Sequence, residues 1–145
     1  MRFERSALFR ATPERVWSVL SDWERQASWM PDVAWVSLLG PERELGARLQ
    51  VRTKVFGVPA ANDLLRVTIW EPPVRLAIEH VGVVVGTGAW RLEPEGDGTR
   101  FSWEENFRML PPVLGGLALW LYSPWQRWML RRSIRKLRGL VERTD

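Results

Sequence analysis

The chain has no cysteine, a single histidine (His80) and only two lysines (Lys54 and Lys136) among its 145 residues. Without cysteine there is no disulfide framework, no thiolate zinc site, no iron–sulfur cluster and no thiol nucleophile. One histidine leaves no His-rich metal centre and no H-E-x-x-H pattern. Long apolar runs are missing too. The longest, Val113–Tyr122, is too short to span a bilayer and is followed by Pro124. Met1–Arg10 is charged and alternating and lacks the apolar stretch of a secretory signal, so the chain reads as cytoplasmic. No G-x-x-x-x-G-K-[ST] loop and no G-x-S-x-G elbow occurs, and Gly82, Gly86 and Gly88 do not form a G-x-G-x-x-G fingerprint. The expectation is a protein with no metal and no cofactor.

What is present is an ordinary globular composition, 46% hydrophobic and 26% charged, in a length suited to one domain covering residues 1–145. Nineteen of the 21 basic residues are arginine, as in some thermophiles and equally in GC-rich genomes. The net charge of +4 is concentrated at the C-terminal end. Seven basic residues follow Pro124 against only Glu142 and Asp145, which leaves the first 123 residues close to neutral. A basic helix of this kind suits an anionic membrane surface or, more simply, a solvated face. Ten tryptophans, from Trp17 to Trp128, exceed what a tight core of this size needs. Some of them should border a pocket or an interface.

Along the chain, residues 2–10 read as a strand. Thr12-Pro13 gives an N-cap and a first helical position for a short helix bearing Val16, Trp17 and Leu20. A second short helix covers Trp23 to Met30 and stops at Pro31. Strands follow at Val33–Leu39, Ala47–Phe56, Leu64–Trp70, Val74–Val81, Gly86–Leu92 and Arg100–Met109. Leu49, Val51, Thr53 and Val55 alternate with Arg48, Gln50, Arg52 and Lys54, so one face of that strand is covered. Pro111-Pro112 breaks the pattern, Val113–Tyr122 forms a separate apolar segment, and a long helix runs from about Pro124 to Arg143. Leu130, Ile134, Leu137 and Val141 make its buried stripe. Short turns between consecutive strands imply an antiparallel meander, and its one-sided strands need the helix as their partner.

Ala11–Val33 (ATPERVWSVLSDWERQASWMPDV), Glu71–Leu76 (EPPVRL), Gly86–Phe107 (GTGAWRLEPEGDGTRFSWEENF) and the Arg-rich last helix carry a resemblance. Together they resemble the START / birch-pollen-allergen-like superfamily, often called SRPBCC, in its polyketide cyclase/dehydrase-like branch. The resemblance implies an α+β helix-grip fold: a curved antiparallel sheet of six to seven strands wrapped around a long C-terminal helix, with two short helices after the first strand. It also implies a deep cavity between sheet and helix that holds a hydrophobic ligand. The superfamily spans carriers, cyclases and receptors, so the fold alone does not name an activity.

Strand parity then selects candidate positions. His80 falls in register with Leu76 and Ile78 on the apolar face; it is the best acid–base candidate, though a lone histidine there is more often a hydrogen-bonded core residue. Glu105 shares parity with Phe101, Trp103 and Phe107, where a carboxylate needs a partner or water; Arg66 and Thr53 are candidate partners, and a rim position is the plainer reading. The expected cavity wall comprises Val51, Thr53, Val67, Ile69, Ile78 and His80 from the earlier strands. The later strands add Trp90, Leu92, Trp103, Glu105 and Phe107, and the C-terminal segment adds Trp120, Leu130 and Ile134. Trp120, Trp125 and Trp128 could gate the pocket, meet a membrane interface, or simply pack.

The leading expectation is a noncatalytic binder or carrier of a small hydrophobic, lipid- or polyketide-like ligand. The alternative is a cyclase, aromatase or dehydratase in which His80 or Glu105 moves the proton. A third reading is a membrane- or partner-docking module working through the basic helix. Nucleic acid has only that helix to recommend it. A homodimer remains open.

Overall fold

The computed structural model describes residues 2–82, 84–109 and 112–142, and the side chains of all of these except 107, 109 and 112–114. Seven strands form one antiparallel sheet: β1 (Arg2–Phe9), β2 (Val33–Leu38), β3 (Arg48–Val55), β4 (Val58–Glu71), β5 (Arg75–Val81), β6 (Val84–Glu95) and β7 (Gly98–Met109). Their spatial order is β1-β7-β6-β5-β4-β3-β2, so the first strand closes onto the last and the rest is a meander. Helix α1 (Pro13–Leu20) and a 3₁₀ segment (Trp23–Ser28) follow β1, and α2 (Pro112–Val141) ends the chain. The sheet and α2 together make the helix-grip arrangement.

Local chemistry explains the elements. The Thr12 hydroxyl accepts from the Arg15 N–H at 3.2 Å, and Pro13 occupies the first helical position, where no N–H is required. Val16, Trp17 and Leu20 bury the inner face of α1. The second helix is a single 3₁₀ piece shorter than the pattern predicts, and it buries Trp23 and Gln26. The β3–β4 turn is two residues, Phe56 and Gly57, with φ of 49° and 84°. Positive φ at both positions matches the twist that tight hairpins favour. Phe56 is held in that conformation by ring contacts with Tyr122 and Trp125, at 5.4 and 5.2 Å between centroids. The hairpin tip is thereby tied to α2.

Two further elements differ from the sequence expectation. β4 begins at Val58 rather than Leu64, because pairing with β3 extends through Pro59-Ala60-Ala61-Asn62-Asp63, residues of low strand preference. α2 begins at Pro112 and continues without a break past Pro124. Pro124 has no N–H to give the Trp120 carbonyl, and the Ser123 hydroxyl donates to that carbonyl instead, at 2.8 Å. The buried serine offsets the missing bond, and the apolar segment and the long helix become one element. No helix among the described residues is long and apolar enough to cross a membrane.

The core lies between the sheet and the helices. Leu20, Trp23, Trp29, Leu49, Leu76, Leu92, Phe101, Leu137 and Val141 are almost wholly buried. Trp29, Trp90 and Trp103 meet one another with centroids 5.6 to 5.8 Å apart, and Trp70 takes Trp17 and Trp23. Six of the ten tryptophans therefore build two triads, contributing tilted and edge-on contacts beyond area burial.

Candidate ligand cavity

A cavity of about 730 Å³ opens between the inner face of the sheet and α2. β3 supplies Val51 and Thr53, β5 supplies Leu76, Ile78 and His80, and β7 supplies Trp103 and Glu105. Trp23 and Gln26 close it from the 3₁₀ segment, while Tyr122, Met129 and Leu130 cover it from α2. The wall is mostly apolar. Three of its polar residues, Asp63, His80 and Glu105, meet one another.

The geometry of that cluster follows from two glycines. His80 on β5 and Glu105 on β7 are two strands apart, roughly 10 Å at the backbone. Between them, on β6, Gly86 pairs with His80 and Gly88 pairs with both Ile78 and Glu105. With no side chains there, the imidazole and the carboxylate reach across β6 and meet, Nε2 to Oε2, at 3.4 Å. A methyl group on Gly88 would lie 3.0 Å from Glu105 Oε2. The other ring nitrogen, Nδ1, is 2.8 Å from Asp63 Oδ2 on β4, and the Trp103 indole N–H donates to Glu105 Oε1 at 3.1 Å. The three side chains are only 15, 17 and 16% exposed for His80, Asp63 and Glu105.

Burial alone pulls the His80 imidazolium down, but hydrogen bonds to Asp63 and Glu105, with the charges of both, outweigh it and raise the group to about 9. At neutral pH this histidine is a proton donor. Burial pushes the Asp32 carboxyl up to about 6, opposed by a backbone hydrogen bond and reinforced by the charge of Glu105. Burial likewise pushes the Tyr122 hydroxyl up to about 12, with the charge of Asp32 adding to it. No group of three His, Asp or Glu side chains among the described residues is arranged to hold a metal ion.

The expected wall residues divide. Val51, Thr53, Ile78, His80, Trp90, Trp103, Glu105 and Leu130 line the cavity. Val67, Leu92 and Ile134 are buried in the core behind it. Ile69 lies off the wall, because a bulge between Val67 and Ile69 adds one residue to β4 and reverses its parity. Trp70 takes the inward place instead. Trp120 is 65% exposed on the outer side of α2. Trp125 packs on Phe56 and Trp128. The Phe107 side chain lies outside the described residues. Arg66 pairs with Glu79, so Glu105 finds its partners in His80 and Trp103 instead. Asp63, Asp32 and Tyr122 went unnoticed in the sequence. Extending the Leu65–Val67 alternation back two residues would have found Asp63; nothing in the pattern marks Asp32 or Tyr122.

The family model described as polyketide cyclase / dehydrase and lipid transport matches residues 1–142. The chain belongs to that family. Among solved structures, a protein from Thermus thermophilus superposes with a TM-score of 0.80 at 20% identity, covering 97% of both chains. The di-domain ARO/CYC StfQ from the steffimycin biosynthetic pathway gives 0.78 at 14% identity, over 97% of this chain and 50% of that one. A START superfamily protein from Mycobacterium smegmatis gives 0.71 at 16% identity, over 97% and 94%. At these identities the likeness is one of fold. No curated protein sequence matches. The description of the family covers polyketide cyclisation or dehydration and lipid transport, and names no activity for an individual member.

Proposed function

We propose that this member of the polyketide cyclase/dehydrase and lipid transport family binds and carries a small hydrophobic molecule in the cavity beneath α2. The observation that carries this reading is the cavity itself. Its volume, about 730 Å³, lies in the range that encloses most of a drug-sized ligand, and its wall is mostly apolar with a few polar groups.

A second reading, an enzyme of cyclase or dehydratase type, draws support from the state of His80. An imidazolium with its pKa at about 9 keeps its proton at neutral pH and can give it to a departing hydroxyl. Glu105, 3.4 Å away, can take the proton from the neighbouring carbon. The C–O electrons leave with the oxygen, one water is lost, and the cavity contributes by holding a flexible chain in place.

Native mass spectrometry of freshly purified protein, followed by solvent extraction, looks for a discrete mass that departs on denaturation. Binding of the neutral dye Nile red then locates the site. Ala61→Trp, which fills the cavity from β4, is expected to weaken dye binding by about tenfold or more. Unchanged affinity in that variant would place the dye elsewhere and defeat the carrier reading. The same preparation, given a β-hydroxy thioester, loses one water from that substrate only if the second reading holds.

A further inference from the structure

The cavity wall has a charge that the whole molecule does not. The chain carries 21 basic residues and a net charge of +4, yet no lysine or arginine appears among the described lining residues. Three carboxylates do appear, Asp32, Asp63 and Glu105, against one imidazole. Even with His80 protonated the wall is negative. His80 serves Asp63 and Glu105 together. Asp32 makes no ion pair among the described residues and feels Glu105 as a like charge.

An independent observation concerns Gln26. This side chain is 5% exposed, lines the cavity, and spends its amide nitrogen on the Leu20 carbonyl at 3.5 Å. Its amide oxygen takes no hydrogen bond among the described residues. That oxygen is free to accept from a donor on whatever fills the space. Oxygen acceptors on three carboxylates and on an amide, against one imidazolium and no lysine or arginine, leave a set complementary to a group that only donates. An ammonium is such a group: it is positive and has donors but no acceptors. Aromatic rings at Trp23, Trp103 and Tyr122 line the same wall, and a cation is a group that aromatic rings can attract. A carboxylate or phosphate headgroup would instead meet like charge in a desolvated site, which is costly.

We infer that the ligand is a hydrophobic amine, an apolar body carrying a protonated nitrogen that Asp32, Asp63, Glu105 and the Gln26 oxygen receive. This rests on the carrier reading above and narrows it to a chemical class.

The test uses three probes of equal chain length, decylamine, decanol and decanoate, each competing with Nile red for the wild-type protein below its aggregation concentration. Decylamine is expected to bind about tenfold or more tighter than decanol, with decanoate the weakest, the gap set by charged hydrogen bonds. Nonspecific attraction to the basic surface would favour decanoate, so the expected order cannot come from the exterior. In Asp32→Asn and in Glu105→Gln the amine-to-alcohol ratio should fall towards unity, and a thermal melt checks that each variant is folded. Decanol or decanoate binding as well as decylamine would overturn the amine inference and leave the cavity reading standing. If Nile red binds and none of the three displaces it, the inference also fails. If Nile red does not bind either, the carrier reading fails with it.

Discussion

His80 holds the polar part of the cavity together, and its state is directly measurable. As the only histidine it gives one imidazole resonance, so its titration by NMR needs no assignment. The midpoint is expected near 9, against 6.5 for a free imidazole. Asp63→Asn and Glu105→Gln should each move it downward by about a unit or more, because each removes a hydrogen bond to the charged form and a neighbouring negative charge. Gly88→Ala tests the geometry behind this. Its methyl group would meet Glu105 Oε2 at 3.0 Å and push the carboxylate off His80, so the midpoint should drop there too with neither partner deleted. A midpoint near 6.5 in the wild type would mean that the three side chains do not meet as described. At this scale the sequence was half legible. Alternation put His80 and Glu105 on the apolar face, but their contact depends on side chains missing from β6, and strand parity carries no information about that.

The helix α2 shows how a sequence break can be absorbed. Pro124 marks a break by every local rule, yet the helix passes through it because Ser123 donates to the carbonyl that proline leaves bare. Ser123→Ala is expected to cost about 1 kcal/mol in urea denaturation. In a Pro124→Ala background the same change should cost much less, since the new backbone N–H can reach the Trp120 carbonyl. Equal costs in both backgrounds would show that the serine acts through packing alone. Similar reasoning accounts for the other elements. The α1 cap and the alternation of β3 were readable from local chemistry. The start of β4 was hidden in a stretch of low strand preference that cross-strand pairing overrides. The bulge that turns Ile69 outward has no composition signal, since it depends on how β4 and β5 register against each other.

Over the whole molecule, charge is sorted by depth: arginines cover the exterior, and carboxylates with one imidazole line the interior. Stability should therefore depend on pH in a direction opposite to that of a fold held by carboxylate salt bridges. His80 binds its proton more tightly in the native state, about 9 against 6.5. Its contribution is complete below pH 6.5 and is lost as the pH rises through 9, at ~3 kcal/mol for a shift of this size. Asp32 is shifted upward as well, from 3.8 to about 6, so the native state resists losing that proton, and stability falls between those values before levelling off. Asp63 and Glu105 face His80 from β4 and β7. Tyr122, facing Asp32 from α2 and pushed up to about 12, stays neutral throughout. Comparison with His80→Gln isolates the share of the slope that belongs to the imidazole. Urea unfolding at about pH 6, 7.5 and 9.5 should show a steady loss of stability in the wild type and a nearly flat profile in His80→Gln. A wild-type profile that is flat or rising over that interval would mean that His80 gains nothing from its two carboxylates on folding.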